Sequence, residues 1–223
     1  SIPDTNLLKL NIRDFNCQAF KDWLAYINEW DVFISCVGTQ SPIGKLDKIN
    51  PSDWVEGVSI NSSYQIGALL NALNYRNKQT IPNVIFFAGG GTNSATSSYS
   101  AYTVGKISLI KTIELLDHEI KDTKFFIIGP GWVRTKIHYQ TINSKSLAGD
   151  NYQKTLDMFN SPEKFNPMDK VISDIFNLIN SPKELVGGRN FSSVHDDLSI
   201  KNLNRIKKIN DDFYRLRRNL NDI

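Results

Sequence analysis

The chain has 223 residues, 40% of them hydrophobic and 22% charged, with a net charge of +3. That length supports one domain with a sizeable core, and so mild a charge does not argue for a nucleic-acid partner. No apolar run reaches the roughly 18 residues of a membrane span and nothing resembles a signal peptide, while the scattered His118, His138 and His195 offer no metal spacing and Cys17 and Cys36 no disulfide framework.

In chain order, strand-like and helix-like segments alternate. Leu7–Ile12 is expected to form a short strand and Cys17–Trp30 a helix. Asp31–Gly38, "DVFISCVG", is almost continuously apolar and ends on glycine, the pattern of a strand buried on both faces. A helix then opens with Asn50 as N-cap, Pro51 in the first position and Asp53 in the first turn, and is expected to run to Tyr75. "NVIFFAGG" is a second buried strand, Ser97–Ile120 a long helix, and "KFFIIGPG" a third buried strand. Asn166–Ser181 has helical apolar spacing, and Glu184–Phe191 is expected as a short strand with a glycine turn. Leu203, Ile206, Phe213, Leu216 and Leu220 are expected on one face of a last helix. The alternation predicts an α/β fold, a three-layer, doubly wound, mostly parallel sheet with helices on both faces. Ligands of such sheets bind at the carboxyl ends of the strands. Glycines stand at three of those ends: Gly38, Gly89–Gly91, and Gly129 with Gly131.

The chemistry concentrates in "FFAGGGTNSATSSYSAYTVGK". Tyr102 and Lys106 lie four residues apart, on one face of a helix. A neighbouring ammonium and the positive end of the helix both favour a phenolate, so Tyr102 is expected to titrate below the usual tyrosine value near 10. It would then trade a proton with an alcohol or carbonyl.

Five segments in order make the chain resemble the short-chain dehydrogenase/reductase family from about Leu7 to at least Thr135. "YTVGK" resembles the family's Tyr-x-x-x-Lys, "DVFISCVG" its strand ending in Asn-Asn-Ala-Gly, and "SINSSYQIG" the helix that carries its structural asparagine. "GPGWVRT" resembles Pro-Gly-x-Val-x-Thr, and "LNIRD" the Asp-Val-Thr-Asp site beside adenine, with Asn11 in place of aspartate. The resemblance implies a single Rossmann-like domain over 1–223 and an NAD(P)-dependent oxidoreductase that interconverts a secondary alcohol and a ketone. It makes Tyr102 the general acid/base. Lys106 would hold the ribose hydroxyls and tune Tyr102. Asn61 would kink its helix and hold a water linked to Lys106. Asn11, Ile12, Cys36, Val37, Gly38, Lys106, Pro130, Gly131, Val133 and Thr135 would line an NAD or NADP site, and no metal is implied.

Two departures stand out. The family's catalytic serine falls on Gly89, so either Thr92, with Asn93 and Ser94 close by, or the backbone N–H groups of the glycine turn must take its place. The family's Gly-x-x-x-Gly-x-Gly phosphate loop has no counterpart before Leu7. By family spacing the chain starts about fifty residues in, so the loop is expected from a segment beyond the sequence or from another chain.

The family draws substrate choice from the region that is here 136–167, a polar, lid-like stretch. It suits a hydroxylated small molecule. The triple glycine and "VGGRNFSSVHD" are similar to reductases of bacterial surface-sugar pathways and point to a sugar or nucleotide sugar. Arg134, His138, Tyr139 and Arg189 are candidate contacts. The resemblance also implies a homodimer or homotetramer through Tyr64–Leu73 and Ile107–Leu116, and the cysteine usage fits a cytoplasmic setting. Two rivals compete with this. One is a family member that has lost catalysis and serves binding or regulation. The other is an acidic-partner or nucleic-acid binder using Lys201, Arg205, Lys207, Lys208, Arg215, Arg217 and Arg218.

Overall fold

A computed structural model describes residues 6–217. Its centre is a four-stranded, all-parallel sheet, β1 (Val32–Ser35), β2 (Asn83–Phe87), β3 (Lys124–Gly129) and β4 (Asn190–Ser192), in that spatial order. The pairing is direct, Ile34 with Ile85, Ile85 with Phe126 and Ile128 with Phe191. The helices are α1 (Gln18–Ile27), α2 (Pro51–Asn61), α3 (Ser63–Ala72), α4 (Ser100–Glu119), α5 (His138–Ser144), α6 (Asp150–Asn160), α7 (Met168–Asn180), α8 (Lys183–Val186) and α9 (Ile200–Ile209).

Alternation along the strands divides the core in two. Ile85, Phe126, Ile128 and Phe191 face α7, α8 and α9 through Val171, Leu178, Val186 and Leu203. Val84, Phe86, Phe125 and Ile127 face α3 and α4 through Leu69, Leu109 and Ile113. All eight strand residues are at most 1% exposed. Phe20 and Leu24 of α1 pack on Ala68 and Ala72 of α3.

Several expectations are corrected. Leu7–Asn11 has no regular structure and Ile12–Asp14 is a 3₁₀ turn, because none of the described strands lies beside it to share a ladder. β1 is shorter than expected and is not buried on both faces. Val32 and Ile34 are 40% and 46% exposed, since it is an edge strand of this sheet and the layer over the α7 face stops short of it. The helix from Asn50 breaks at Ser62 (φ −144°, ψ −85°). Gln65, almost wholly buried, fills the break. It donates to Ile60 O at 2.9 Å and accepts from the Ser35 hydroxyl at 2.6 Å. Part of Glu184–Phe191 is the helical turn α8. The C-terminal face is shorter too. Leu203 and Ile206 are buried on α9, but Phe213 lies beyond its end and is 43% exposed. Leu216 packs elsewhere, beside the α4 core, and Leu220 lies outside the described residues.

What positions the site is the close crossing of α2 and α4. A Cβ on Gly105 would stand 2.6 Å from Asn61 Cβ and 3.0 Å from Val58 O, and one on Gly57 3.1 Å from Ala101 Cβ. Gly105→Val is therefore expected to cost about 2–3 kcal/mol by overpacking, measured as loss of unfolding free energy in urea. An unchanged midpoint would mean that the helices separate freely.

Candidate active site

The carboxyl ends of β1, β2 and β3 open into a cleft of about 1320 Å³. Tyr102, Lys106, Thr92, Cys36, Val37, Gly38, Pro130, Gly131, Val133 and Thr135 all line it. Asn61 sits just behind. It is fully buried, donates through Nδ2 to Thr39 O and Gly57 O, each at 2.8 Å, and accepts from Thr39 N at 3.1 Å. One carboxamide thus fixes the loop after β1 to the end of α2, next to the helix break at Ser62. Asn11 and Ile12 are not in the cleft wall. Asn11 Oδ1 caps the 3₁₀ turn by accepting from Arg13 N, and Ile12 packs in the α1–α3 core.

Tyr102 is the third residue of α4 and Lys106 follows one turn later. Lys106 is 4% exposed. Its Nζ reaches Val37 O at 3.4 Å and lies 5.9 Å from the Tyr102 ring centroid. A Cβ on Gly38 would stand 3.6 Å from that Nζ and 3.5 Å from Asn61 Oδ1, so the glycine leaves the ammonium accessible from the cleft. Burial lowers the Lys106 pKa to about 8. Burial also pushes Tyr102 up, to about 12, which corrects the expectation of an acidified phenol. Desolvation penalises the phenolate, and it outweighs an ammonium that lies over the ring and is itself poorly solvated.

The turn that holds Gly89 explains the absent serine sterically. A Cβ there would collide with the Tyr102 hydroxyl and ring, with Cε1 at 2.6 Å. Gly89→Ser is expected to displace Tyr102 and cost about 1–3 kcal/mol of stability without raising activity. A melting curve with a turnover assay checks this, and a more active, equally stable variant would contradict it. Thr92 hydroxyl donates to Gly89 O at 3.3 Å, so it folds back on its own turn. Asn93 and Ser94 also line the cleft.

Of the candidate substrate contacts, only His138 reaches the cleft. It stacks on Trp132 at 4.8 Å and 6°, its Nε2 bonds Val133 O at 2.9 Å, and its Nδ1 is buried with no partner among the described residues. Burial lowers its pKa. Arg134 lies over Phe159, Tyr139 packs on the same ring, and Arg189 is buried elsewhere, tied to Gly187 O and Asp211. The C-terminal cations are mostly engaged. Arg215 pairs with Asp211, Arg217 with Glu114 and Asp212, Arg205 bonds Asn202 and Lys207 bonds Glu184 O, while Arg218 lies outside the described residues. Gln40, Tyr99, Thr103, Trp132, Gln140 and Thr141 line the cleft without having been expected there. Trp132 lies inside "GPGWVRT", Tyr99 and Thr103 in the stretch that ends at Lys106, and Gln140 and Thr141 within 136–167, so Gln40 alone carried no signal.

No protein-family model matches the chain, and no curated protein matches it in sequence. Its structure does have relatives. A short-chain dehydrogenase/reductase of Saccharomyces cerevisiae matches with a TM-score of 0.69 at 17% identity, over 86% of this chain and 77% of that one. Aldohexose dehydrogenase of Thermoplasma acidophilum in ligand-free form matches with a TM-score of 0.69 at 14% identity, over 87% and 77%. A short-chain dehydrogenase of Shigella flexneri complexed with NADP matches with a TM-score of 0.64 at 15% identity, over 85% and 73%. The chain is thus a three-layer α/β protein with a cleft at its strand ends. More narrowly, its fold is that of the short-chain dehydrogenases/reductases. Among the described residues no helix is long and apolar enough to cross a membrane, and no cluster of three His, Cys, Asp or Glu is placed to hold a metal.

Proposed function

We propose that this chain is an NAD(P)-dependent oxidoreductase interconverting a secondary alcohol and a ketone. The observation that carries it is the buried Lys106 ammonium beside Tyr102, open to a cleft at the carboxyl ends of parallel strands. The residues fit the nicotinamide–ribose half of such a cofactor. An ammonium short of partners suits the ribose hydroxyls, and Gly38, Pro130, Gly131, Val133 and Thr135 provide a wall. Asn11 and Ile12 lie outside the cleft, so the adenine half finds no counterpart in them.

The cofactor when bound supplies or takes the hydride. The chain's own residues handle the proton. At neutral pH Tyr102 holds its proton on Oη, and in the reducing direction it gives that proton to the oxygen of the substrate carbonyl. Lys106 stabilises the phenolate left behind. Asn61 keeps the loop of Val37–Thr39 in place, and the Gly89–Gly91 turn with Thr92 presents backbone donors to the same oxygen. Because Lys106 titrates near 8 in the unliganded protein, reductive kcat/KM is expected to fall as pH rises through about 8. A flat profile from pH 6 to 10 would contradict a role for its charge.

The substrate is a polar, sugar-like small molecule, a sugar or nucleotide sugar, taken up beneath the lid formed by 136–167. The chain works in the cytoplasm as a homodimer or homotetramer through α3 and α4, where Leu70 and Leu115 are about half exposed. One observation favours a second function, a catalytically impaired protein that binds: the Thr92 hydroxyl, the stand-in for the absent serine, bonds Gly89 O of its own turn. Tyr102→Phe separates the two, since binding alone is indifferent to the phenol proton.

A further inference from the structure

One part of the cleft wall is made of Gln40, Tyr99, Gln140 and Thr141. Its hydrogen bonds run in one direction. Thr141 has a single hydroxyl proton, which it gives to Gln40 Oε1 at 2.8 Å. It must therefore accept from the Tyr99 hydroxyl, 2.6 Å away. Gln140 Oε1 accepts the backbone N–H of Gln40 at 2.6 Å and the Thr39 hydroxyl at 3.3 Å. Both carboxamide oxygens are thus spent on the protein, and the backbone N–H on Gln140 Oε1 fixes which way that amide faces. Neither Nε2 donates to any described residue, so up to four N–H donors are left over on two half-buried residues of the wall. The backing is rigid, with Tyr99 5% and Thr141 1% exposed. It also adjoins the chemistry, because Thr39, which bonds Gln140, is the residue held by Asn61 and follows Gly38, beside Lys106.

We infer that the Nε2 groups of Gln40 and Gln140 form a paired-donor subsite that selects substrates with an oxygen on the carbon next to the reacting one, α-hydroxy ketones and vicinal diols. The inference rests on the cleft being the redox site proposed above. Donors fixed in a half-buried wall gain when a substrate oxygen accepts from them and lose when an apolar group displaces their water. A bare ketone leaves both unpaired. The α-oxygen of a hydroxy ketone meets them while its carbonyl faces Tyr102.

The test compares NADPH-dependent reduction of 2-hydroxycyclohexanone and cyclohexanone by the wild type, Gln40→Glu and Gln140→Glu. Glutamate keeps the acceptor oxygen that holds the network and removes the N–H donors. The wild type is expected to prefer the hydroxy ketone at least about tenfold in kcat/KM, the worth of one good hydrogen bond. Each variant is expected to lose most of that preference, read as the ratio of kcat/KM for the two ketones. A wild type without the preference, or variants that keep it, overturns the subsite. If the wild type reduces neither ketone, the redox function fails separately. The subsite is then decided by saturation-transfer NMR with trans-cyclohexane-1,2-diol and cyclohexanol. Transfer to the diol alone, lost in both variants, supports it, and equal or absent transfer overturns it.

Discussion

Tyr102→Phe is expected to lower NADPH-dependent ketone reduction by about 10³-fold, within the range that a positioned general acid contributes, while leaving the melting temperature unchanged or slightly raised. The two halves have separate causes. Oη holds the proton that the product alcohol needs, and phenylalanine has none. Yet burial raises the Tyr102 pKa to about 12, and no described residue hydrogen-bonds the hydroxyl, so its removal strands no partner. The sign can be checked against pH. A phenol whose pKa is higher folded than unfolded keeps its proton longer in the native state, so stability falls between about pH 10 and 12 as the unfolded chain ionises first. The phenylalanine variant lacks this contribution to the slope. Turnover within threefold of wild type would remove Tyr102 from the mechanism and favour the binding function.

Lys106→Met is expected to do the opposite of an ordinary core mutation: abolish activity and stabilise the unliganded protein. With its pKa lowered from 10.5 to about 8, the buried ammonium costs the native state roughly 3 kcal/mol at neutral pH, where folded and unfolded chains are both protonated. Between about pH 8 and 10.5 the native state deprotonates first and the unfolded chain binds more protons, so stability rises with pH. Methionine removes the charge and keeps the volume. Urea unfolding at pH 7 should show a gain of about 2–3 kcal/mol, and the gap between the proteins should close toward pH 10.5. Lys124, also lowered to about 8, titrates in the same window but is common to both proteins, so the difference reports Lys106 alone. A destabilised variant would mean that Lys106 is structural. A group kept at a stability cost, by contrast, fits the cofactor-holding role proposed for Lys106.

Tyr102 and Lys106 could be found in the sequence because helical spacing is local. β2 and β3 could be found because covered strands are apolar throughout. β1 shows the limit of that pattern. "DVFISCVG" looks the same whether or not a layer covers Val32 and Ile34. The break at Ser62 has no proline or glycine to announce it, and only the resemblance, through Asn61, points to a kink there; Gln65, which caps Ile60 O and accepts from Ser35 across the fold, fills it. The direction of the Tyr102 shift escaped for a related reason, since spacing gives proximity to Lys106 but not the burial of either group. Gln40 and Gln140 are 100 residues apart and meet only through β1's loop and α5, so no local motif could join them. The absent serine, by contrast, was plain at Gly89. Its cause, the Tyr102 ring lying against the glycine, needed coordinates.

The most direct measurement is fluorescence titration of the folded wild type with NADPH and with NADH, repeated on Lys106→Met. A blue-shifted, saturable enhancement with a micromolar Kd for at least one nucleotide is expected for the wild type, lost or weakened more than tenfold in a variant that melts no lower. A folded wild type that binds neither nucleotide would contradict the redox function.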